Sequence, residues 1–113
     1  MHALIIEDEP LIAMSIEDAL RPCGYTSFDF AGSAREAIAA ARLRCPDLVT
    51  SDVQLAPGCG IDTVTELCGA EAIPVVFITG IAWAVQDRLA GHVVVDKPFI
   101  MDQIARAVRR ATG

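Results

Sequence analysis

The feature that most constrains what this chain can fold into is an alternation. Short apolar runs trade places with segments whose apolar residues recur at helical spacing. Ala3 to Ile6 is the first run and reads as a buried strand. Pro10 suits the first turn of a helix in which Leu11, Ile12, Ile16, Ala19 and Leu20 share a face, and Pro22 with Gly24 ends it. Tyr25 to Ala31, where Phe28 and Phe30 alternate with Ser27 and Asp29, reads as an edge strand with one wetter face. Ser33-Ala34-Arg35-Glu36 is a capping box that opens an alanine-rich helix running to about Arg44, before Pro46. Leu48 to Ser51 is a third strand, Ala56 to Gly60 a loop, and Asp62 to about Gly69 a third helix. Pro74 to Ile78 is a fourth strand, Ala82 to Leu89 a short helical segment, and His92 to Val95 a fifth strand. Lys97-Pro98-Phe99 is a turn. Met101 to Ala111 is a last amphipathic helix, with Ile104, Ala105 and Val108 inward and Arg106, Arg109 and Arg110 outward.

Strands that alternate with helices imply right-handed crossovers and a mainly parallel sheet covered on both faces, an α/β doubly wound fold. The 113 residues make one domain, 1–113, and a 53% hydrophobic composition fills its core and excludes disorder. A formal charge of −6 argues against binding nucleic acid or an anionic membrane surface. The most apolar stretch, Ile73 to Val85, is interrupted by Pro74, Thr79 and Gly80 and falls short of the roughly 20 residues a bilayer span needs. The four cysteines form no CxxC, and neither His2 nor His92 completes a zinc spacing, so they read as reduced thiols of a cytoplasmic protein. Phe77 and Trp83 read as packing residues.

Open sheets of this kind bind ligands outside the carboxyl ends of their strands. Strand one is followed by Glu7-Asp8-Glu9, strand three by Asp52, strand four by Thr79-Gly80, and strand five by Asp96 and Lys97-Pro98. Glu7, Asp8 and Asp52 are thereby expected within a few ångströms of one another, a crowding of like charge that demands compensation. Three carboxylates, one lysine and a divalent cation sum to zero, and hard oxygen ligands suit Mg²⁺. Eight of the nine basic residues are arginine. The lone lysine, Lys97, falls at this edge, where a compact point charge differs from a planar guanidinium. Glu9 and Asp96 read as solvated surface.

Ile5-Ile6-Glu7-Asp8-Glu9-Pro10, Pro46 to Asp52, Thr79 and Lys97-Pro98-Phe99, together with Gly60 eight residues past Asp52, resemble the receiver domain of two-component response regulators across essentially the whole chain. The resemblance implies a flavodoxin-like sheet in the order 2-1-3-4-5. It implies Asp52 as phospho-acceptor, Asp8 as a direct ligand of Mg²⁺, Glu7 as a ligand through water, and the backbone carbonyl of Gln54 as a further ligand. Thr79 would hydrogen-bond a phosphoryl oxygen, Lys97 would pair with the phosphate, and the Lys97–Pro98 bond would be cis. The partner implied is a sensor histidine kinase or a histidine phosphotransfer protein.

Three departures from the family pattern matter. Gly80 follows Thr79, Val94 replaces the aromatic expected three residues before Lys97, and the span from Thr79 to Lys97 is about four residues short. Phe77-Ile78-Thr79-Gly80 resembles the FATGUY-type receivers, which have a weak fourth helix and no aromatic switch. The expectation is a stand-alone receiver, a monomer or weak dimer, acting through protein contact or as a phosphate sink, with Gly80 to Ala90 ordering on phosphorylation. Rival readings are a metal-binding pseudo-receiver that works without phosphorylation and an Asp-nucleophile phosphatase. The phosphatase would want an acid where Gln54 stands. A nucleotide-binding flavodoxin would want a Gly/Ser/Thr cradle where Glu7-Asp8-Glu9 repels phosphate.

Overall fold

The computed structural model describes residues 1–54, 60–65, 67 and 73–113. The strands are β1 (His2–Ile6), β2 (Ser27–Ala31), β3 (Leu48–Ser51), β4 (Val75–Thr79) and β5 (Val93–Asp96). All pair in parallel, in the order β2-β1-β3-β4-β5, and β2 lies at an edge as expected. The helices are α1 (Pro10–Leu20), α2 (Ala34–Leu43), α3 (Gly60–Thr65), α4 (Gln86–Leu89) and α5 (Met101–Thr112), with 3₁₀ turns at Arg21–Cys23 and Ala82–Ala84. Among the described residues no helix is long and apolar enough to cross a membrane.

Strand alternation splits the core. Ala3, Ile5, Leu48, Val76, Ile78 and Val95 face Ala13 and Ile16 of α1 and Ile104 and Val108 of α5. Leu4, Ile6 and Val49 pack on Ala37 and Ala41 of α2 from the other side. A third cluster joins Val53, Ile61 and Phe77 to Leu89, the buried residue of the one-turn α4. Local signals set the helix ends. Pro10 starts α1, and Gly24 closes the following 3₁₀ turn at φ +99°, a conformation a side chain resists. Ser33 Oγ accepts from the Glu36 N–H at 3.2 Å, and Glu36 Oε1 accepts from the Gly32 N–H at 3.1 Å.

Several expectations are corrected. Tyr25 precedes β2 and is buried, 2% exposed. Leu11 points to solvent, 79% exposed, because Ala13, Ile16, Ala19 and Leu20 already fill the inward stripe. Phe30 is half exposed, in a shallow depression it shares with Ala13, Met14 and Glu17 of α1. In α5 the inward alanine is Ala107 rather than Ala105, which sits on the flank. Trp83 is 78% exposed and packs in no core, whereas Phe77 is buried edge-on to His92. Cys23 is a free thiol, but Cys45 is disulfide-bonded, so the four cysteines are not all reduced. α3 begins at Gly60, two residues early; the loop around Pro57, Cys59 and the end of the third helix near Gly69 fall outside the described residues.

Candidate functional site

The ladder hydrogen bonds run one residue past each strand and fix the backbone of the site. Glu7 donates its N–H to the Ala31 carbonyl at 2.8 Å, Asp52 to Ile6 at 3.0 Å, and Lys97 to Thr79 at 3.0 Å. Strand parity then sends Glu7, Asp52 and Lys97 to the side of the sheet that Ile5, Thr50 and Val95 face. The Lys97–Pro98 bond is cis.

Lys97 Nζ donates to Glu7 Oε1 at 2.7 Å and to Asp52 Oδ2 at 2.9 Å. Each carboxylate uses its other oxygen on backbone. Glu7 Oε2 accepts from the Glu9 N–H at 3.1 Å, and Asp52 Oδ1 from the Gln54 N–H at 3.1 Å. The side chains of Glu7 and Asp52 are 1% and 7% exposed, and Lys97 is 18% exposed. Burial opposes the charge of Lys97, yet its bonds to Glu7 and Asp52 and their negative charge hold its pKa above the usual lysine value. For Glu7, burial is the largest influence and lifts its pKa above the ordinary carboxylate value, outweighing the bond to Lys97. The two shifts differ in origin: one lysine faces two carboxylates, whereas each carboxylate has only that lysine.

Asp8 is exposed at the mouth, and one oxygen each of Glu7, Asp8 and Asp52 lies within 4.8 Å of the others. Three hard oxygens and one lysine leave two negative charges uncompensated, a donor set that fits a divalent cation of the oxygen-seeking kind. Glu7, Asp8, Asp52 and Lys97 are thus together. Thr79 is fully buried at the end of β4, and its hydroxyl accepts from the Ile81 N–H at 3.2 Å within its own turn. Gln54 touches the site through its backbone N–H. Glu9 and Asp96 are exposed, as expected.

The role of one backbone escaped the sequence, and the tightness of one named glycine did too. Glu9 holds Glu7 through its backbone. Gly60 brings α3 so close to Asp52 that a β-carbon there would lie 1.9 Å from the Asp52 carbonyl oxygen. The only signal for Gly60 was its spacing from Asp52.

The model of the response regulator receiver domain matches residues 3–109. The chain belongs to that family. The receiver is 37% identical over 119 residues to the probable transcriptional regulatory protein TcrX of Mycobacterium tuberculosis, covering 97% of this chain and 50% of the relative. It is 36% identical over 118 residues to the transcriptional regulatory protein PdtaR of the same species, covering 99% and 57%. The solution structure of the PhyR receiver domain from Erythrobacter litoralis superposes with a TM-score of 0.86 at 34% identity, covering 97% of this chain and 88% of that one. This receiver spans about half the length of the curated relatives it matches.

Proposed function

We propose that Asp52 accepts a phosphoryl group from the phosphohistidine of a sensor histidine kinase or histidine phosphotransfer protein, and that the receiver signals through protein contact or drains phosphate as a sink. The observation that carries this reading is the setting of Asp52: a nearly buried carboxylate held between the Lys97 ammonium and the Gln54 N–H, beside two more carboxylates. Asp8, Asp52 and the Gln54 carbonyl would hold Mg²⁺, with Glu7 reaching it through water. When bound, the ion neutralises charge on the phosphoryl oxygens. In the transfer an Asp52 oxygen bonds to phosphorus as the bond from phosphorus to the donor imidazole breaks, the nitrogen keeping the electron pair. Lys97 trades a carboxylate oxygen for a phosphoryl oxygen, and the Thr79 hydroxyl leaves Ile81 for another. Exposed Leu11 and Met14 on α1, with Ile100 and Met101 at the start of α5, support a protein rather than a small molecule as the natural donor.

The test is the intact mass of the protein after incubation with acetyl phosphate and Mg²⁺. Wild type gains one phosphoryl group; Asp52→Asn and EDTA-treated wild type gain none. Equal gain in Asp52→Asn refutes the assignment.

A further inference from the structure

At the opposite pole of the molecule from Asp52, beside the amino ends of the strands, lies a half-open cavity of about 660 Å³, within the size range of small-ligand sites. Pro22, Cys23 and Val108 give it apolar walls, and Tyr25, Asp47 and Arg109 give it polar ones. The Tyr25 ring is buried, the residue 2% exposed, and its hydroxyl, which makes no hydrogen bond among the described residues, is not among the buried unpartnered atoms and so still reaches solvent. Burial first, then the charge of Asp47, pushes its pKa up, so it stays a neutral phenol able to donate and accept.

The Asp47 carboxylate is held rigidly by a reciprocal pair with β1. Its Oδ2 accepts from the His2 N–H at 2.7 Å, and its own N–H donates to the His2 carbonyl at 2.7 Å. It has no ion-pair partner among the described residues. Arg109, on the outer face of α5, has none either. Two opposite charges, both on exposed residues, therefore line one cavity without pairing with each other.

We propose that this cavity binds a small apolar α-amino acid as its zwitterion. The ammonium sits at Asp47 and the Tyr25 hydroxyl, the carboxylate at Arg109, and the apolar side chain against Pro22, Cys23 and Val108. A carboxylate alone leaves Asp47 unanswered, and an amine alone leaves Arg109 unanswered. The zwitterion answers both and offers the phenol a hydrogen bond in place of water.

The experiment is an amide NMR titration of the ¹⁵N-labelled protein with L-leucine, L-methionine and L-phenylalanine in the millimolar range, alongside the amide and the N-acetyl derivative of each. At least one free amino acid should give saturable shifts clustered at Cys23, Tyr25, Asp47 and Val108 and none around Asp52. Blocking either end should weaken binding by roughly tenfold or more, the loss of one hydrogen bond to a charged group. Asp47→Asn, which keeps an oxygen for the His2 N–H, and Arg109→Gln, at an exposed position, should each do the same while leaving the acetyl phosphate reaction unchanged. If Asp47→Asn fails to fold, Arg109→Gln alone carries the decision. No saturable shift from any of the three amino acids overturns the proposal. So do equal affinities for free and blocked forms, which would mark a merely apolar depression, and so does undiminished binding by Arg109→Gln.

Discussion

Replacing Gly60 with alanine tests how tightly the surroundings of Asp52, the proposed acceptor, are built. The added carbon would lie 1.9 Å from the Asp52 carbonyl oxygen, 2.8 Å from Ser51 Oγ and 2.9 Å from the Asp52 carbonyl carbon. Carbon and oxygen that are not bonded approach to about 3.3 Å. The start of α3 must therefore withdraw by about 1.4 Å, from that contact distance less the 1.9 Å now available. Withdrawal breaks the 2.8 Å bond from the Gly60 N–H to the Val53 carbonyl and lifts Ile61 off Val53, Phe77 and Leu89. The lost bond and the packing strain together cost about 2–3 kcal/mol. At about 4 °C per kcal/mol for a domain of this size, Tm falls by roughly 8–12 °C. If instead Asp52 gives way, its carboxylate moves by a similar distance, and for the proposed transfer a misplacement of about 1 Å costs on the order of 100-fold in rate. The assay pairs thermal unfolding with the time course of phosphorylation by acetyl phosphate, run well below both melting points. A Tm within about 2 °C of wild type together with a rate within about threefold would refute the reasoning.

Thr50 is 1% exposed and its hydroxyl has no partner among the described residues, so Thr50→Val should stabilise by about 1–2 kcal/mol and raise Tm by roughly 4–8 °C; an unchanged or lower Tm rejects this. The raised pKa of Glu7 means the folded chain holds that proton more tightly than the unfolded one, whose value is near 4.5. Metal-free protein should accordingly lose stability from Glu7 as pH rises from there through the folded pKa, and Glu7→Gln should remove that part of the slope. Identical pH dependence of urea unfolding in the two proteins contradicts it. Residues Gly80 to Ala90 should gain hydrogen-exchange protection on adding beryllofluoride, and Trp83, the single tryptophan, should change its fluorescence. Leu89 and the Arg88–Asp62 ion pair anchor the far end of that segment, so the change should centre on Gly80 to Val85. Equal protection in both states ends the order–disorder account.

Much of the site was legible because it depends on two simple regularities. Parallel strands share a carboxyl edge, and side chains alternate along each strand, so Glu7, Asp8, Asp52 and Lys97 had to arrive together. What was hidden depends on how elements meet. Nothing near Leu11 in the chain says that Ala13, Ile16, Ala19 and Leu20 suffice for the inner face of α1. The spacing of Cys45 from the other cysteines carries no mark of a disulfide, since pairing follows distance in space. Trp83 is apolar by type, but a one-turn α4 offers it no wall to pack against. The reach of Lys97 to Glu7, ninety positions away, is likewise a property of the assembled sheet.

That reach has a mechanical side. Lys97 leaves the end of β5, yet it grips β3 through Asp52 and the end of β1 through Glu7, passing over β4. It is a tie rod laid across the mouth of the sheet, and its tension is the charge of Asp52. Any chemistry that alters that charge retunes the tie and is felt at once at the sheet's far margin, where β5 hands over to α5. With valine at position 94 and no ring there to swing, this tie is the link the structure shows between the proposed acceptor and the start of α5.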